Sequence, residues 1–208
     1  MEEILRYLEA VHPPPHPLLL ELEQRGRADG VPIVSRETGR LLSTIVHGMQ
    51  AGRILEVGTA YGYSTLWMAL ALPRMGRIWT IEPDSRRTDV ALEYFKRAGK
   101  DDVIEIFNTP TLDLLENFPH RNLDIVFIDA NPSEYRAYLD SVIPMLKLSG
   151  LAIVDDCLLG GRVASASVGD DPALVEMRAF NAYFLGHPQL DSTILPLGNG
   201  TGIGARRQ

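Results

Sequence analysis

Arg53-Ile54-Leu55-Glu56-Val57-Gly58-Thr59-Ala60-Tyr61-Gly62-Tyr63-Ser64 is the stretch whose reading decides the fold. Its first five residues form a short, strand-length run that is apolar apart from Arg53 at its start and Glu56 near its end. Gly58 then allows a sharp turn and a close approach of the backbone to a ligand. Gly62 allows close packing where a helix begins. Strand, glycine turn and helix in that order open a βαβ unit, and in such sheets ligands sit at the C-terminal ends of the strands. A carboxylate at Glu56, at the end of an apolar strand, requires a partner; the ammonium of an amino-acid moiety, directly or through water, would serve. Two positions after Gly58 stands Ala60, so the G-x-G-x-x-G pattern that cradles a pyrophosphate lacks its middle glycine. That opposes use of a dinucleotide and points to an adenosine-type cofactor of another kind.

Outward from this stretch the pattern repeats. Residues 78–81 (IWTI), 103–107 (VIEIF), 123–128 (LDIVFI) and 151–154 (LAIV) are strand-length apolar runs bounded by Gly, Pro, Asn or Asp. Helical segments over 64–72, 85–98, 111–117 and 133–146 separate them. Alternation of this kind predicts an α/β fold with a doubly wound, mostly parallel sheet. Residues 192–197 and 201–205 flank Gly198-Asn199-Gly200, a hairpin signal, so the sheet closes with an antiparallel pair, seven strands in all. Upstream, residues 1–50 read as helices. His12-Pro13-Pro14-Pro15-His16-Pro17 breaks the first, Gly26 to Pro32 ends a second that starts at Leu18, and Ser35 caps a third through Gly48. No repeat or domain boundary is visible. The expectation is a single domain over 1–208, with 1–50 as lid or dimer surface and 51–208 as the cofactor-binding core.

The chain has 208 residues, 45% hydrophobic and 23% charged, which suits one globular domain with a large core. No apolar run approaches the ~20 residues that span a bilayer, and the acidic start MEEILRYLEA does not resemble a signal peptide. One cysteine, Cys157, cannot form an internal disulfide; a cytoplasmic location is expected, with Cys157 a buried small residue. A net charge of −7 opposes non-specific binding to nucleic acid. The five histidines show no zinc spacing. Trp67 and Trp79 read as packing residues. Arg36, Arg40 and Arg162 are candidates to line the mouth of a site, against the plainer reading of a solvated charged face.

Two further features carry chemistry. Glu82 follows the IWTI strand, where an acid can accept from both hydroxyls of a ribose. Asp129 ends the fourth strand, and Asp155 and Asp156 end the fifth. Neighbouring parallel strands bring these three together, and clustered carboxylates repel unless protonated or bound to a cation. A hard divalent ion, Mg²⁺ most simply, resolves the repulsion.

At these residues the chain resembles the cation-dependent O-methyltransferases, the group of catechol and caffeoyl-CoA methyltransferases and their bacterial relatives. ILEVGTAYGYST is similar to that family's first motif, LDIVFIDA to its fourth-strand motif, LAIVDDCLLGGRV to its D-N-x-L-x-G-x-V segment and ILPLGNGTGIGARR to its closing hairpin; together they cover roughly residues 30–207. The resemblance implies a class I, Rossmann-like methyltransferase fold with S-adenosyl-L-methionine as methyl donor. It implies cofactor contacts at Val34, Glu56, Gly58, Thr59, Ser64, Glu82, Thr111 and Asp129, and metal ligands at Asp129, Asp155 and Asp156, with Asp129 catalytic because it meets both. It also implies a homodimer.

Three positions depart from the family pattern. Pro132 stands where the family has the lysine that helps deprotonate the acceptor, and proline transfers no proton. Asp156 replaces the usual asparagine ligand. Thr109-Pro110-Thr111 replaces Gly-Asp-Ala near the adenine. The expected activity is methylation of a hydroxyl on a small aromatic, catechol-like acceptor. Methylation of a hydroxylated wobble uridine in tRNA is an alternative, opposed by the acidic charge; a family member that has lost catalysis and keeps a binding role is another, prompted by Pro132.

Overall fold

The computed structural model describes residues 2–165 and 171–207. A seven-stranded sheet runs in the order β3-β2-β1-β4-β5-β7-β6. Its strands are β1 (Arg53–Val57), β2 (Arg77–Ile81), β3 (Ile104–Phe107), β4 (Leu123–Ile128), β5 (Leu146–Val154), β6 (Leu190–Leu195) and β7 (Thr201–Arg206). The first five pair in parallel, and β7 lies antiparallel to both β5 and β6. The doubly wound sheet with a closing hairpin is as expected from the sequence.

The apolar runs are continuous because both faces of the sheet are covered. Leu55, Val57, Val126, Ile128 and Val154 point into one core layer with Phe118, Tyr135, Phe180 and Phe184. Ile54, Ile78, Ile125, Phe127 and Ile153 point into the other, with Leu22, Leu42, Trp67 and Phe95. The covering helices are α1 (Glu2–Val11), α2 (Pro17–Asp29), α3 (Arg36–Met49), α4 (Tyr63–Ala71), α5 (Ser85–Arg97), α6 (Thr111–Asn117), α7 (Tyr135–Val142) and α8 (Pro172–Leu185). Ser35 caps α3 by accepting from the Thr38 N–H at 3.1 Å, as its sequence position predicts. Among the described residues no helix is long and apolar enough to cross a membrane.

Two boundaries differ from the sequence reading by several residues, and one helix is additional to it. The second helix does end within the expected Gly26 to Pro32 stretch: α2 runs to Asp29 and is capped by Gly30 at φ 66°. Gly26 is there for proximity, since a Cβ on it would lie 3.2 Å from Ile33 Cγ2. The predicted 133–146 helix is cut short: α7 ends at Val142, and Pro144, which has no N–H to continue the ladder, sits in a 3₁₀ turn over Ile143–Met145. Strand β5 begins at Leu146, not Leu151, and pairs Leu123 with Leu146 before the register shifts. Ser149 at φ 62° and Gly150, packed on the Leu123 carbonyl, obscure that irregular start. Helix α8 was not anticipated, although Asp171 accepts from the Ala173 N–H as a cap and Leu174, Met177, Phe180 and Phe184 are buried at helical spacing.

Asp124 anchors the edge of the sheet opposite the strand ends that hold ligands. Its Oδ2 accepts from the Gly52 and Arg53 N–H groups, each at 2.8 Å, and its other oxygen pairs with Lys147. Replacing Asp124 by alanine leaves both backbone donors without their acceptor. We expect Asp124→Ala to lose about 2–4 kcal/mol of stability, read as a lower urea midpoint with an unchanged slope; a midpoint within error of wild type would show that water replaces the carboxylate at no cost.

Candidate active site

The strand order reverses between β1 and β4, and the crevice at such a reversal is where open α/β sheets bind ligands. Gly58 leaves β1 at φ 104°. A Cβ on Gly58 would lie 1.9 Å from the Asp129 carbonyl oxygen, so no other residue fits between the ends of β1 and β4. The Gly58 and Thr59 N–H groups both donate to the Ile81 carbonyl, at 3.0 and 3.1 Å, which ties the turn to β2. Gly62, at φ 80°, has no room for a Cβ against Phe95. Above this turn opens a cleft of about 600 Å³, within the size range of small-ligand sites.

Of the residues expected at the cofactor, Val34, Gly58, Glu82, Thr111 and Asp129 line the cleft, and so do Asp155 and Asp156. Glu56, Thr59 and Ser64 are buried and stand behind the turn. Glu56 finds its partners inside the protein: Ser64 Oγ and Thr80 Oγ1 each donate to it at 2.6 Å, and Thr65 Oγ1 completes the set. Three hydroxyls thus supply what a ligand's ammonium was expected to supply. Burial still outweighs them and pushes the Glu56 carboxyl up to about 7. Thr59 Oγ1 lies 2.6 Å from Thr80 Oγ1, extending the same network.

Glu82 is held from two sides. Its Oε2 accepts from the Ala60 N–H at 3.0 Å and its Oε1 from the Asp84 N–H at 3.1 Å, while Arg87 Nη1 stands 3.8 Å away. The carboxylate is thereby fixed at the cleft wall with lone pairs to spare for a ligand.

The strand-end acids do meet electrostatically. Burial first, then Asp155, Asp156 and Glu56, holds the Asp129 carboxyl well above the usual carboxylate range. Burial and Asp156 push Asp155 up to about 6. Thr201 Oγ1 donates to Asp155 at 3.3 Å, and Asn199 Nδ2 donates to Asp156 at 2.8 Å. Asp156 itself adopts φ 61°. Among the described residues, no three His, Cys, Asp or Glu side chains are gathered closely enough to hold a metal ion.

The family follows from the whole chain. A family profile described as O-methyltransferase matches residues 15–207. The chain belongs to the O-methyltransferase family. It is 33% identical over 162 residues to the catechol O-methyltransferase of Mycobacterium tuberculosis, which spans 78% of this chain and 73% of that one. It is 32% identical over 180 residues to the caffeoyl-CoA O-methyltransferase of Populus kitakamiensis, spanning 82% and 76%. Among solved structures it is similar to the O-methyltransferase of Bacillus cereus in complex with SAH, at 28% identity and TM-score 0.87, covering 97% of this chain and 96% of that one.

Within this O-methyltransferase, the three arginines proposed for the mouth are engaged elsewhere. Arg36 binds Glu23 and Glu9, Arg40 donates to the Pro13 carbonyl and covers the Trp67 ring, and Arg162 pairs with Asp171. Cys157 is buried and its thiol is pushed up to about 12, chiefly by burial, so it is a packing residue. Pro132 is exposed at the start of a 3₁₀ turn. The sequence reading missed Arg87, Asn199 and the Glu134–Tyr138 pair, all of which line the cleft; Tyr138 donates to Glu134 one helical turn back. The spacing of Glu134 and Tyr138, and the place of Arg87 in the first turn after Glu82, were available signals. Asn199 read only as a turn residue. Tyr135 is fully buried, and its hydroxyl has no hydrogen-bond partner among the described residues.

The raised Glu56 carboxyl makes stability depend on pH. In the unfolded chain it ionises near 4.5, and in the native state near 7. Its contribution is full below the lower value and is lost as pH rises through the upper one. Wild type should therefore lose stability relative to Glu56→Gln between those values, by up to about 1.4 kcal/mol per pH unit. Urea titrations of both proteins at several pH values test this; parallel profiles would mean that Glu56 is ionised throughout.

Proposed function

We propose that the protein transfers a methyl group from S-adenosyl-L-methionine to a hydroxyl of a small aromatic, catechol-like acceptor, with a divalent cation, Mg²⁺, assisting. The observation that supports this most directly is the cleft at the β1–β4 reversal. A turn with no room for a side chain at Gly58 opens it, the fixed acid Glu82 stands on one side, and Asp129, Asp155 and Asp156 stand on the other.

The residues suit the adenosine-type donor. Glu82 would accept from the ribose hydroxyls, its orientation already set by the Ala60 and Asp84 amides. Val34, Gly58 and Thr111 would pack against the rest of the cofactor, while Glu56 with Ser64, Thr65 and Thr80 keeps the turn rigid from behind. The Bacillus cereus relative, solved with SAH, supports the same choice. When bound, the cofactor supplies an electrophilic methyl group on sulfur.

For the cation, the donors are of the right chemical type but are not gathered into a closed set. Asp129 accepts no hydrogen bond among the described residues, and its charge is opposed by Asp155 and Asp156, an imbalance that a hard divalent ion would relieve. Such an ion supplies acidification and orientation of a hydroxyl. Pro132 offers no proton acceptor, so removal of the acceptor's proton depends on the carboxylate end of the cleft.

Methyl transfer to catechol, followed as release of S-adenosylhomocysteine, tests the reading. EDTA should lower the rate by at least about tenfold, with recovery on adding Mg²⁺, and Asp129→Asn should lower it similarly. An equal rate in EDTA would refute the cation's part; no transfer to any hydroxylated aromatic would refute the acceptor.

A further inference from the structure

The proposed reaction leaves open what the acceptor carries besides its hydroxyl. The two relatives differ on this point: one is named for a catechol, the other for a coenzyme A ester, and they are 33% and 32% identical to this chain. Identity does not separate them, but the charge of the cleft does.

Six carboxylates line the cleft: Glu82, Asp113, Asp129, Glu134, Asp155 and Asp156. Among the described residues one cation lines it, Arg87, and Arg87 faces Glu82 at 3.8 Å. The arginines that the sequence offers for the mouth are held by other partners and do not line the cleft. Arg36 is shared between Glu9 and Glu23, Arg162 is paired with Asp171, and Arg40 is spent on a carbonyl and an indole ring. A divalent cation and a sulfonium bound together would still leave the carboxylates in excess.

An anionic group entering such a cleft meets uncompensated negative charge. A phosphate or carboxylate is recognised by guanidinium forks, lysines or free helix amides, and the cleft wall presents a single guanidinium that already faces an acid. We infer, on the basis of the proposed methyl transfer, that the acceptor is an uncharged or cationic hydroxylated aromatic. Coenzyme A thioesters, carboxylated catechols and the phosphate backbone of tRNA are selected against by the charge of the cleft.

The test is equilibrium binding by calorimetry to the protein saturated with S-adenosylhomocysteine and Mg²⁺, a complex that cannot turn over. The probes are catechol, its aminoethyl derivative, 3,4-dihydroxybenzoate and caffeoyl-CoA, in buffer of about 20 mM and about 500 mM ionic strength. Catechol and the aminoethyl derivative should bind at least about fivefold more tightly than the benzoate at low salt, and the ratio should shrink at high salt as screening shortens to a few ångströms. Caffeoyl-CoA should bind more weakly still. Asp113→Lys, which adds a cation at the exposed rim, should narrow the gap between catechol and the benzoate about two- to threefold. Binding of the benzoate or the thioester as tightly as catechol would overturn the inference while leaving methyl transfer intact. Failure of all four probes to bind, with S-adenosylhomocysteine bound, would overturn the acceptor reading and this inference with it.

Discussion

The contact between the Gly58 turn and the Asp129 carbonyl is the constraint on which the rest of the site depends. Two parallel strands end side by side there, and the chain departs from them in opposite directions. A side chain at Gly58 would lie 1.9 Å from that carbonyl, so the crevice at the reversal exists only because position 58 has none. Both turn amides are fixed to Ile81 on the next strand, which sets where Glu82 emerges. The same β4 end delivers Asp129 into the cleft, and β5 delivers Asp155 and Asp156 beside it. The two walls of the cleft are thus two consequences of one strand reversal.

Behind the turn, Glu56 shows how the fold accommodates a buried carboxylate. It occupies the row that Ile54 begins, facing α4, and the helix answers with Ser64 and Thr65 while β2 answers with Thr80. Hydrogen bonds to the charged form lower its proton affinity and burial raises it; burial prevails. The opposite case is found at Asp129, which has no donor among the described residues and faces other carboxylates. One acid is satisfied and supports the turn. The other lines the cleft.

Most of the fold was legible because its signals are local. The glycine turn at 58, the Ser35 cap and the four parallel runs each rest on a few adjacent residues. What was not legible depended on distant packing. The start of β5 is hidden because Ser149 and Gly150 bend the strand against β4. Position along the chain brought the three strand-end acids, Glu82 and Gly58 to one cleft, but it did not reveal that Glu56 is satisfied internally. Nor did it show that Arg36, Arg40 and Arg162 are each held away from the mouth. Long flexible cations choose partners that are remote in sequence, Glu9, Glu23 and Asp171 here, and no spacing rule reports such a choice.

The central claim is that the β1–β4 reversal is a site for an adenosine-type cofactor, with Glu82 as its fixed acceptor. Calorimetric titration of wild type and of Glu82→Ala with S-adenosylhomocysteine tests it most directly. The account predicts micromolar binding to wild type and a loss of about tenfold or more in the variant, the scale of a hydrogen-bonded charged acceptor. Absence of binding to wild type, or equal affinity in the two proteins, would contradict it.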